Sequence, residues 1–381
     1  MKIKIQQFLY QNHSWSVVGW NIARALIKQG HVVHLIPTDR FITNDKGIET
    51  TEPRNCHLPE DLKPYELNSP DSIYDCQISY TAPINWGKYL RNGRKNRFAI
   101  WAYEFNGPNI LPPGFSKYYQ FADKILPPSN YVKDIFANSN IPENKMVVIP
   151  HGISLEDYEN KNKLKLNTKN KIKIGLPLGQ LHRRKNPKDL LEAYYKAFDK
   201  NDDVCLLLKM QHQKQQQKKK LNQFDVDFNT IYNELNRKYK NRGQVEIITK
   251  FIPNMIEFYN TCDIIFTMSN CEGFYMPGLE ALAAGKIVIA PRHGGQLDFL
   301  NDDNSILIDG SIVRAPRSYA YWSSSPYANM FKPNIDDAVE KLRNTVENYE
   351  ELQQKLSPNM KSQAESMTWD KVAEQILGLC E

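Results

Sequence analysis

Residues 263–280, DIIFTMSNCEGFYMPGLE, contain the pattern that decides the fold. The apolar run from Asp263 to Ser269 is typical of a buried strand, and Pro277 suits the first turn of a following helix. Between strand and helix, Gly273 allows the backbone to approach a ligand closely. The start of a helix also offers unpaired N–H groups and the positive end of the helix dipole. Such a turn predicts a phosphate site.

Two glutamates bracket this turn. If Pro277 opens the helix, Glu280 lies in the first helical turn, where its carboxylate can accept hydrogen bonds from the ribose hydroxyls of a nucleoside. Alternatively, Glu280 only complements the helix dipole, and Glu272 is an ordinary loop acid. The spacing alone leaves both interpretations open, because short motif matches carry a real false-positive risk.

A second candidate phosphate site is the stretch 178–187, LGQLHRRKNP, between the predicted strand Lys171–Gly175 and a predicted helix. Arg183, Arg184 and Lys185 match the charge of a diphosphate, and arginine can bind it with two parallel hydrogen bonds. A solvated basic loop is the alternative for this stretch taken by itself. Together the two loops, both in the second half of the chain, favour a functional site.

Short apolar strands alternate with amphipathic helical stretches along the chain, which is the pattern of βαβ units and a parallel sheet. The alternation restarts after the polar segment 155–170. We therefore predict an α/β protein with two doubly wound, Rossmann-like domains facing a central cleft. The predicted strands are Ile3–Ile5, His31–Ile36, Phe98–Trp101, Lys124–Leu126, Lys171–Gly175, Val204–Leu208, Val245–Ile248, Ile264–Met268 and Ile287–Ala290, and the predicted helices include Val17–Lys28, Pro187–Phe198 and Trp369–Leu379.

Two segments fall outside this alternation. Residues 211–223 are rich in lysine and glutamine and are either a solvated loop or a surface for an acidic partner such as nucleic acid. Residues 311–333 are rich in Tyr, Trp, Ser and Pro and either cover the cleft, contact a partner or form a plain surface loop.

The composition fits a folded protein of two domains, because 381 residues exceed what one hydrophobic core usually serves. The chain has no run of ~18 apolar residues and starts directly in a predicted strand, so we expect neither a transmembrane segment nor a signal peptide. Peripheral membrane contact and the oligomeric state are left open. The six cysteines show no Cys-x-x-Cys pair and no metal-ligand spacing, which predicts reduced thiols, a cytoplasmic protein and no metal site.

Taken in order along the chain, these motifs resemble the retaining nucleotide-sugar glycosyltransferases of family four, which have the GT-B fold. Residues 272–285, EGFYMPGLEALAAG, are similar to the two-glutamate motif of that family. Residues 184–186, RKN, with 190–193, LLEA, are similar to its basic donor-phosphate loop and helix. Weaker similarities lie in residues 101–104 (WAYE), 128–132 (PSNYV) and 149–153 (IPHGI).

The resemblance implies a site for a nucleoside-diphosphate sugar as donor, with no separate cofactor. Lys185, with Arg183 or Arg184, would neutralise the donor diphosphate. Backbone N–H groups around Gly273 and Phe274 would hold the phosphate nearer the sugar.

The resemblance further implies that Glu280 binds the ribose, while Glu272 lies beside the transferred sugar and steadies the positive charge that develops at the anomeric carbon. Gly294 and Gly295 would let their loop approach the sugar closely. Transfer would retain the anomeric configuration by same-face attack, with the leaving phosphate oxygen taking the acceptor's proton. Neither a protein nucleophile nor a metal is implied, and electrostatic stabilisation of the leaving diphosphate would be the main contribution of the protein.

The sequence departs from the family pattern in several places. Gln180 stands where many members have an arginine, and the segment 11–19 has only Gly19 in place of a glycine-rich loop. Ser14 or Ser16 either lends polar contacts to substrate there or caps the helix.

Two further residues of the first half have open roles. Glu104 stands where other branches have a histidine, and it either orients acceptor or donor hydroxyls or is a buried structural acid. His151 either contacts substrate or only forms a turn at the domain crossover.

On this basis residues 1–155 would be the acceptor-side domain, 156–170 a linker, 171–360 the donor-side domain, and 361–381 a C-terminal helix that crosses back to the N-terminal domain. The first hypothesis is a retaining glycosyltransferase with an unidentified acceptor, which would be a glycan, lipid, protein or small molecule. A nucleotide-sugar epimerase or synthase on the same fold is the alternative. The third hypothesis is a nucleic-acid-binding or nucleic-acid-glycosylating protein.

Overall fold

A computed structural model of the chain describes residues 1–10, 14–39, 42–43, 49–50, 58–67, 73–90, 96–103, 105, 110–111, 114–178, 182–210, 226–316 and 327–380. The chain divides into two compact units. The N-terminal unit comprises Met1–Tyr103, Pro108–Gly152 and Met367–Glu381, and the C-terminal unit comprises Glu104–Gly107 and Ile153–Ser366.

The N-terminal unit is built on a parallel sheet of five strands. The strands of this sheet are β1 (Lys2–Gln7), β2 (Val32–Pro37), β5 (Cys76–Tyr80), β6 (Arg97–Ile100) and β7 (Lys124–Ile125). Two further strands, β3 (Ile42–Thr43) and β4 (Glu49–Thr50), form a short antiparallel pair of their own. The order is β2-β1-β5-β6-β7, so the strand order reverses between β1 and β5. Ile3, Ile5 and Ile78 are fully buried, as expected of a sheet covered on both faces. The helices before the crossover to the other unit are α1 (Ser14–Lys28), α2 (Trp86–Tyr89) and α3 (Asn130–Ala137).

The C-terminal unit contains a second parallel sheet, of six strands. These are β8 (Ile172–Leu178), β9 (Val204–Met210), β10 (Gln244–Ile248), β11 (Ile264–Phe266), β12 (Ile287–Pro291) and β13 (Ile306–Ile308). The order β10-β9-β8-β11-β12-β13 is the doubly wound order of a dinucleotide-binding fold, and it reverses between β8 and β11. An antiparallel hairpin, β14 (Gly310–Arg314) with β15 (Asn329–Pro333), follows β13.

Within the described ranges, six α-helices accompany the second sheet. They are α4 (Pro187–Ala197), α5 (Phe228–Lys238), α6 (Ile256–Thr261), α7 (Met276–Ala283), α8 (Ile335–Glu347) and α9 (Tyr349–Ser366). None of the helices in the described ranges is long and apolar enough to cross a membrane.

The predicted fold class, an α/β protein with two doubly wound parallel sheets, is confirmed. Element ends differ by a few residues: β8 continues to Leu178, and β11 stops at Phe266. The strand β5 and the three-residue strand β13 were not predicted, because short apolar runs carry little periodicity. Within the segment 311–333, the described residues form most of the hairpin, and residues 317–326 lie outside the described part of the chain.

The segment that the sequence suggested as a linker, 156–170, lies with the C-terminal unit. The Thr168 amide donates to the Glu246 carboxylate over 2.8 Å. The Leu164 amide donates to the Thr261 hydroxyl over 2.7 Å. These hydrogen bonds attach the segment to the second sheet and to α6.

The last helix, α10 (Trp369–Gly378), belongs to the N-terminal unit, where it packs on α1. Lys28 in the last turn of α1 forms an ion pair of 2.5 Å with Asp370. Gly152 lies so close to the start of α10 that an added Cβ would sit 2.5 Å from the Trp369 amide nitrogen. The start of the C-terminal helix therefore packs on the first unit at a position where only glycine fits.

Candidate functional site

The candidate site of the C-terminal unit lies where the loops after β8 and β11 meet. These strands are parallel neighbours, with Ile174 opposite Ile264 and Gly175 opposite Ile265. Their carboxyl ends lie at the point where the strand order reverses, which is where open α/β sheets bind ligands. Both loops that the sequence predicted to bind phosphate thus come together at one place.

Glu272, Arg184 and Lys185 form an ion triad in this place. The Glu272 side chain is buried, and its Oε1 accepts a hydrogen bond from Lys185 Nζ at 2.5 Å. Its Oε2 accepts one from Arg184 Nη1 at 3.0 Å, and the same Arg184 nitrogen donates to the carbonyl of Cys271 at 3.0 Å. Lys185 and Glu272 are 87 residues apart in the chain, so only the fold brings them into contact.

The charges of the triad leave the site positive. Burial of the Glu272 carboxyl raises its pKa, but the charges of Lys185 and Arg184 outweigh burial and bring the pKa to about 2. Burial, with the neighbouring cations, lowers the pKa of His182 to about 4, so this imidazole is neutral at pH 7. Two cations beside one carboxylate leave one net positive charge, and Arg183 adds a third cation on the exposed side of the turn. Such a site favours a multiply charged anion.

The basic turn, residues 183–185, is hydrogen-bonded to the loop after β11. The carbonyl of Arg184 accepts hydrogen bonds from the Asn270 amide at 2.7 Å and from the Ser269 hydroxyl at 3.1 Å. Asn186 then turns the chain into α4 in the left-handed conformation, with φ of 50°, which asparagine tolerates better than most residues. Its side chain bonds to Asp189 at 3.0 Å. The cations therefore stand on a fixed turn.

Glu280 lies on α7, one position further from the helix start than predicted. Met276, and not Pro277, opens the helix, because Tyr275 takes the left-handed conformation with φ of 75° just before it. Glu280 is consequently the fifth helical residue and lies beyond the first turn, so dipole complementation there is weak. Its Oε2 accepts a short hydrogen bond from the hydroxyl of Tyr259.

Two tyrosines that the sequence did not single out stand beside this carboxyl. Burial raises the pKa of the Glu280 carboxyl, and its hydrogen bond to Tyr259 only partly offsets this effect. Burial and the nearby Glu280 charge raise the pKa of both Tyr259 and Tyr158 well above the usual range. No local signal in the sequence links these tyrosines to Glu280, since α6 and residue 158 are distant from α7 along the chain. The Glu280 carboxylate, with two phenol groups beside it, is suited to accept hydrogen bonds from hydroxyl groups.

Gly294 and Gly295 lie against the main chain of Glu272. The Gly295 amide donates to the Glu272 carbonyl at 2.8 Å. Gly294 has φ of 95°, and an added Cβ there would lie 2.8 Å from the same carbonyl oxygen. Gly273 and Phe274 follow Glu272 in the buried part of the loop, where the Phe274 ring packs 5.1 Å from that of Phe299. The structure thus gathers the predicted donor-side residues around one glutamate.

Three of the contacts predicted in the first half of the chain, Ser14, Ser16 and His151, lie in the N-terminal unit. Ser14 is exposed at the start of α1, and the buried Ser16 donates its hydroxyl to the Phe8 carbonyl at 3.1 Å. His151 is buried, with its ring 5.5 Å from that of Tyr80, and burial lowers its pKa to about 3. The predictions made for residues 104, 180 and 211–223 lie outside the described residues.

Within the described ranges, no group of three or more His, Cys, Asp or Glu side chains is arranged to hold a metal ion. Cys76, Cys205 and Cys262 are buried thiols outside any disulfide.

Comparison with known proteins places this site in a family context. Residues 158–321 match the family of glycosyl transferases group 1. The search of curated proteins gave no match.

Among solved structures, HepE of Anabaena in complex with UDP and glucose is similar to this chain, with a TM-score of 0.67, 14% identity, and coverage of 100% of this chain and 99% of that one. A glycosyltransferase from Rickettsia africae has a TM-score of 0.66 and 18% identity, covering 100% and 98%. Sucrose-phosphate synthase from Thermosynechococcus elongatus has a TM-score of 0.65 and 15% identity, covering 99% and 98%. Residues 158–321 therefore match the group 1 glycosyl transferases, and the chain as a whole has the GT-B fold.

Proposed function

We propose that this protein is a retaining glycosyltransferase that transfers a sugar from a nucleoside-diphosphate donor to an acceptor hydroxyl. The observation that carries the proposal is the ion triad of Glu272, Lys185 and Arg184 at the meeting point of the β8 and β11 loops. The family match of residues 158–321 supports the same reaction class. UDP is the nucleotide that we propose first, because HepE was solved with UDP and glucose.

In this proposal Lys185 and Arg184 bind the diphosphate of the donor. Negative charge grows on the leaving diphosphate as the bond to the anomeric carbon breaks, and two fixed cations stabilise that charge more in the transition state than in the ground state. The same cations do what a divalent metal would do for a diphosphate, which supports transfer without a metal. Nucleoside-diphosphate sugar is then the only small molecule needed besides the acceptor.

Glu272 is proposed to act on the sugar. With its pKa near 2 it is ionised throughout the physiological range, so it can accept hydrogen bonds from sugar hydroxyls and stabilise positive charge at the anomeric carbon. The acceptor oxygen bonds to the anomeric carbon on the face that the phosphate leaves, and the leaving phosphate oxygen takes the acceptor's proton. The configuration is therefore retained without a covalent intermediate on the protein.

Glu280 is proposed to bind the ribose. Its carboxyl is already hydrogen-bonded to the Tyr259 hydroxyl, and ribose hydroxyls are donors of the same chemical kind. The backbone of Gly273 and Phe274, next to the start of α7, is proposed to contact the phosphate nearer the sugar.

The acceptor side is proposed to lie in the N-terminal unit. The exposed Ser14 is proposed to contact the acceptor, whereas the buried Ser16 and His151 support that surface from within. Buried free thiols such as Cys205 and Cys262 support a reducing, cytoplasmic location.

The test begins with thermal unfolding in the presence of UDP, GDP and ADP and their glucose conjugates. A ligand at 100 times its Kd should stabilise the folded protein by about 2.7 kcal/mol. We expect one nucleotide to raise the melting temperature, and Glu280→Ala and Lys185→Ala each to abolish the rise. Glu347→Gln, an exposed acid on α8, serves as the control that keeps it.

Turnover of the same donor then decides the reaction class. Released nucleotide and an α-configured product from an α-configured donor would support retaining transfer. NMR of the anomeric proton reports the configuration of the product. An epimerised nucleotide sugar formed without any acceptor would establish an epimerase instead. Full activity after removal of divalent cations with a chelator is expected, and its loss would contradict metal-independent transfer.

A further inference from the structure

The hairpin formed by β14 and β15 carries a buried aromatic ring on its inner strand. Phe331 lies on β15 and is only 6% exposed, whereas the next residue, Lys332, points to solvent. The ring packs across Gly310 at the start of β14, where an added Cβ would lie 2.7 Å from ring carbon Cζ. The hairpin is therefore shaped to hold this ring in one position.

The main chain of Phe331 pairs with Asn270 of the candidate site. The Phe331 amide donates to the Asn270 carbonyl at 3.0 Å, and the Phe331 carbonyl accepts from Asn270 Nδ2 at 2.8 Å. Asn270 is buried, and its own amide donates to the Arg184 carbonyl. The hairpin thus fixes the residue that stands two positions before Glu272 and supports the basic turn.

The side chain of Phe331 stacks on His293. The two ring centroids are 5.0 Å apart and the planes differ by 10°. Burial lowers the pKa of His293 to about 4, so a neutral imidazole faces the phenyl ring at pH 7. His293 directly precedes Gly294 and Gly295, whose backbone lies against the Glu272 carbonyl.

Phe331 therefore contacts both segments that hold the backbone of Glu272, one through Asn270 and the other through His293. Because a shift of about 1 Å in a reacting group lowers rates strongly, a residue that fixes both segments controls the reaction without touching the donor. We propose that Phe331 is a positioning residue that fixes Glu272 at the donor sugar. This proposal rests on the proposed function, which assigns Glu272 to the sugar.

The test uses Phe331→Leu in the full-length protein. Leucine keeps the backbone hydrogen bonds to Asn270 but removes the stacked ring. We expect kcat for UDP-glucose hydrolysis to fall by about 10- to 100-fold, while the Kd for UDP, measured by calorimetry, stays at the wild-type value because the cations and Glu280 remain. Phe331→Tyr restores a stacking ring and should restore most of kcat. Lys332→Ala, on the same strand but facing solvent, is the matched control and should behave as wild type.

The outcomes separate the two proposals. A folded Phe331→Leu protein with wild-type kcat, or one in which the Kd for UDP rises by the same factor as kcat falls, would overturn the positioning role. If Phe331→Leu does not fold, Asn270→Ser carries the same test, because it removes the side-chain bond to the Phe331 carbonyl. A wild-type protein that neither binds UDP nor turns over any nucleotide sugar would instead overturn the proposed function, and the positioning role with it.

Discussion

At Glu272, burial and ion pairing shift the pKa of the carboxyl group in opposite directions. Burial alone would favour the protonated acid, yet Lys185 and Arg184 lie close enough to keep the group ionised. The result is a buried charge that depends wholly on its partners. Losing one member of such a set leaves the others uncompensated, so the triad is sensitive to substitution at each position.

Glu272→Gln tests the triad through stability and pH. The folded pKa lies below the usual value, so the stabilising effect of Glu272 is complete above about pH 4.5 and is lost as the pH falls towards 2. We expect the variant to lose about 3 kcal/mol of unfolding free energy at pH 7 and most of its transfer activity. Urea unfolding at pH 7, 4 and 3 should show the gap to wild type narrowing as the pH falls. A gap that is constant with pH would contradict ionised Glu272 as the cause.

Gly294→Ala tests the close approach of two backbones beside the same residue. The substitution places a Cβ 2.8 Å from the Glu272 carbonyl oxygen at a φ of 95°. We expect the free energy of unfolding to fall by about 1–3 kcal/mol and the turnover of the donor to drop clearly.

Gly285→Ala is the matched control for this steric effect. Gly285 also has a positive φ, 68°, but an added Cβ would meet nothing within 4 Å. Backbone strain in Gly285→Ala should lower the free energy of unfolding by about 1 kcal/mol and leave donor turnover unchanged. Equal effects of the two variants on turnover would show that contact with Glu272 is not the reason for glycine at position 294.

At the scale of elements, the strand–turn–helix units determine where the site residues stand. Each parallel strand delivers its following loop to the same edge of the sheet, and β8 and β11 are neighbours there. The start of α7 shows how fine this control is, because Tyr275 in the left-handed conformation sets the helix start at Met276. With the helix starting at Met276, Glu280 lies beyond the first turn, and its carboxyl accepts the hydrogen bond from Tyr259 on α6.

The C-terminal helix α10 offers a test of element packing. Trp369 is 5% exposed and its ring lies 6.2 Å from that of His151 in the N-terminal unit. We expect Trp369→Ala to lower the unfolding free energy by about 3–5 kcal/mol, since it empties a large volume against the first unit. UDP binding should persist under conditions where the variant is folded, because the donor-side residues belong to the other unit.

The control for that helix is Glu374→Ala, an exposed position on α10. Chemical denaturation followed by circular dichroism, with calorimetric titration of UDP, compares the two variants. A Trp369→Ala protein as stable as Glu374→Ala would contradict the packing role of α10.

At the scale of the whole molecule, two parallel sheets of different strand order are made from one chain. The first has the order β2-β1-β5-β6-β7 and the second β10-β9-β8-β11-β12-β13, and the last helix of the chain belongs to the first unit. The donor-side residues all belong to the second unit, within the segment that matches the group 1 glycosyltransferases.

The sequence by itself determined the α/β class, the two parallel sheets, the two phosphate-type loops and the resemblance to the glycosyltransferases. It could do so because strand burial, helix periodicity and turn chemistry are encoded in residues that are neighbours in the chain. Only the tertiary structure decided that Glu272 pairs with Lys185 and Arg184, that Tyr259 stands beside Glu280, and that Phe331 braces Asn270 and His293. These contacts join residues far apart in the chain, and strand order and side-chain packing, which local patterns do not specify, bring them together.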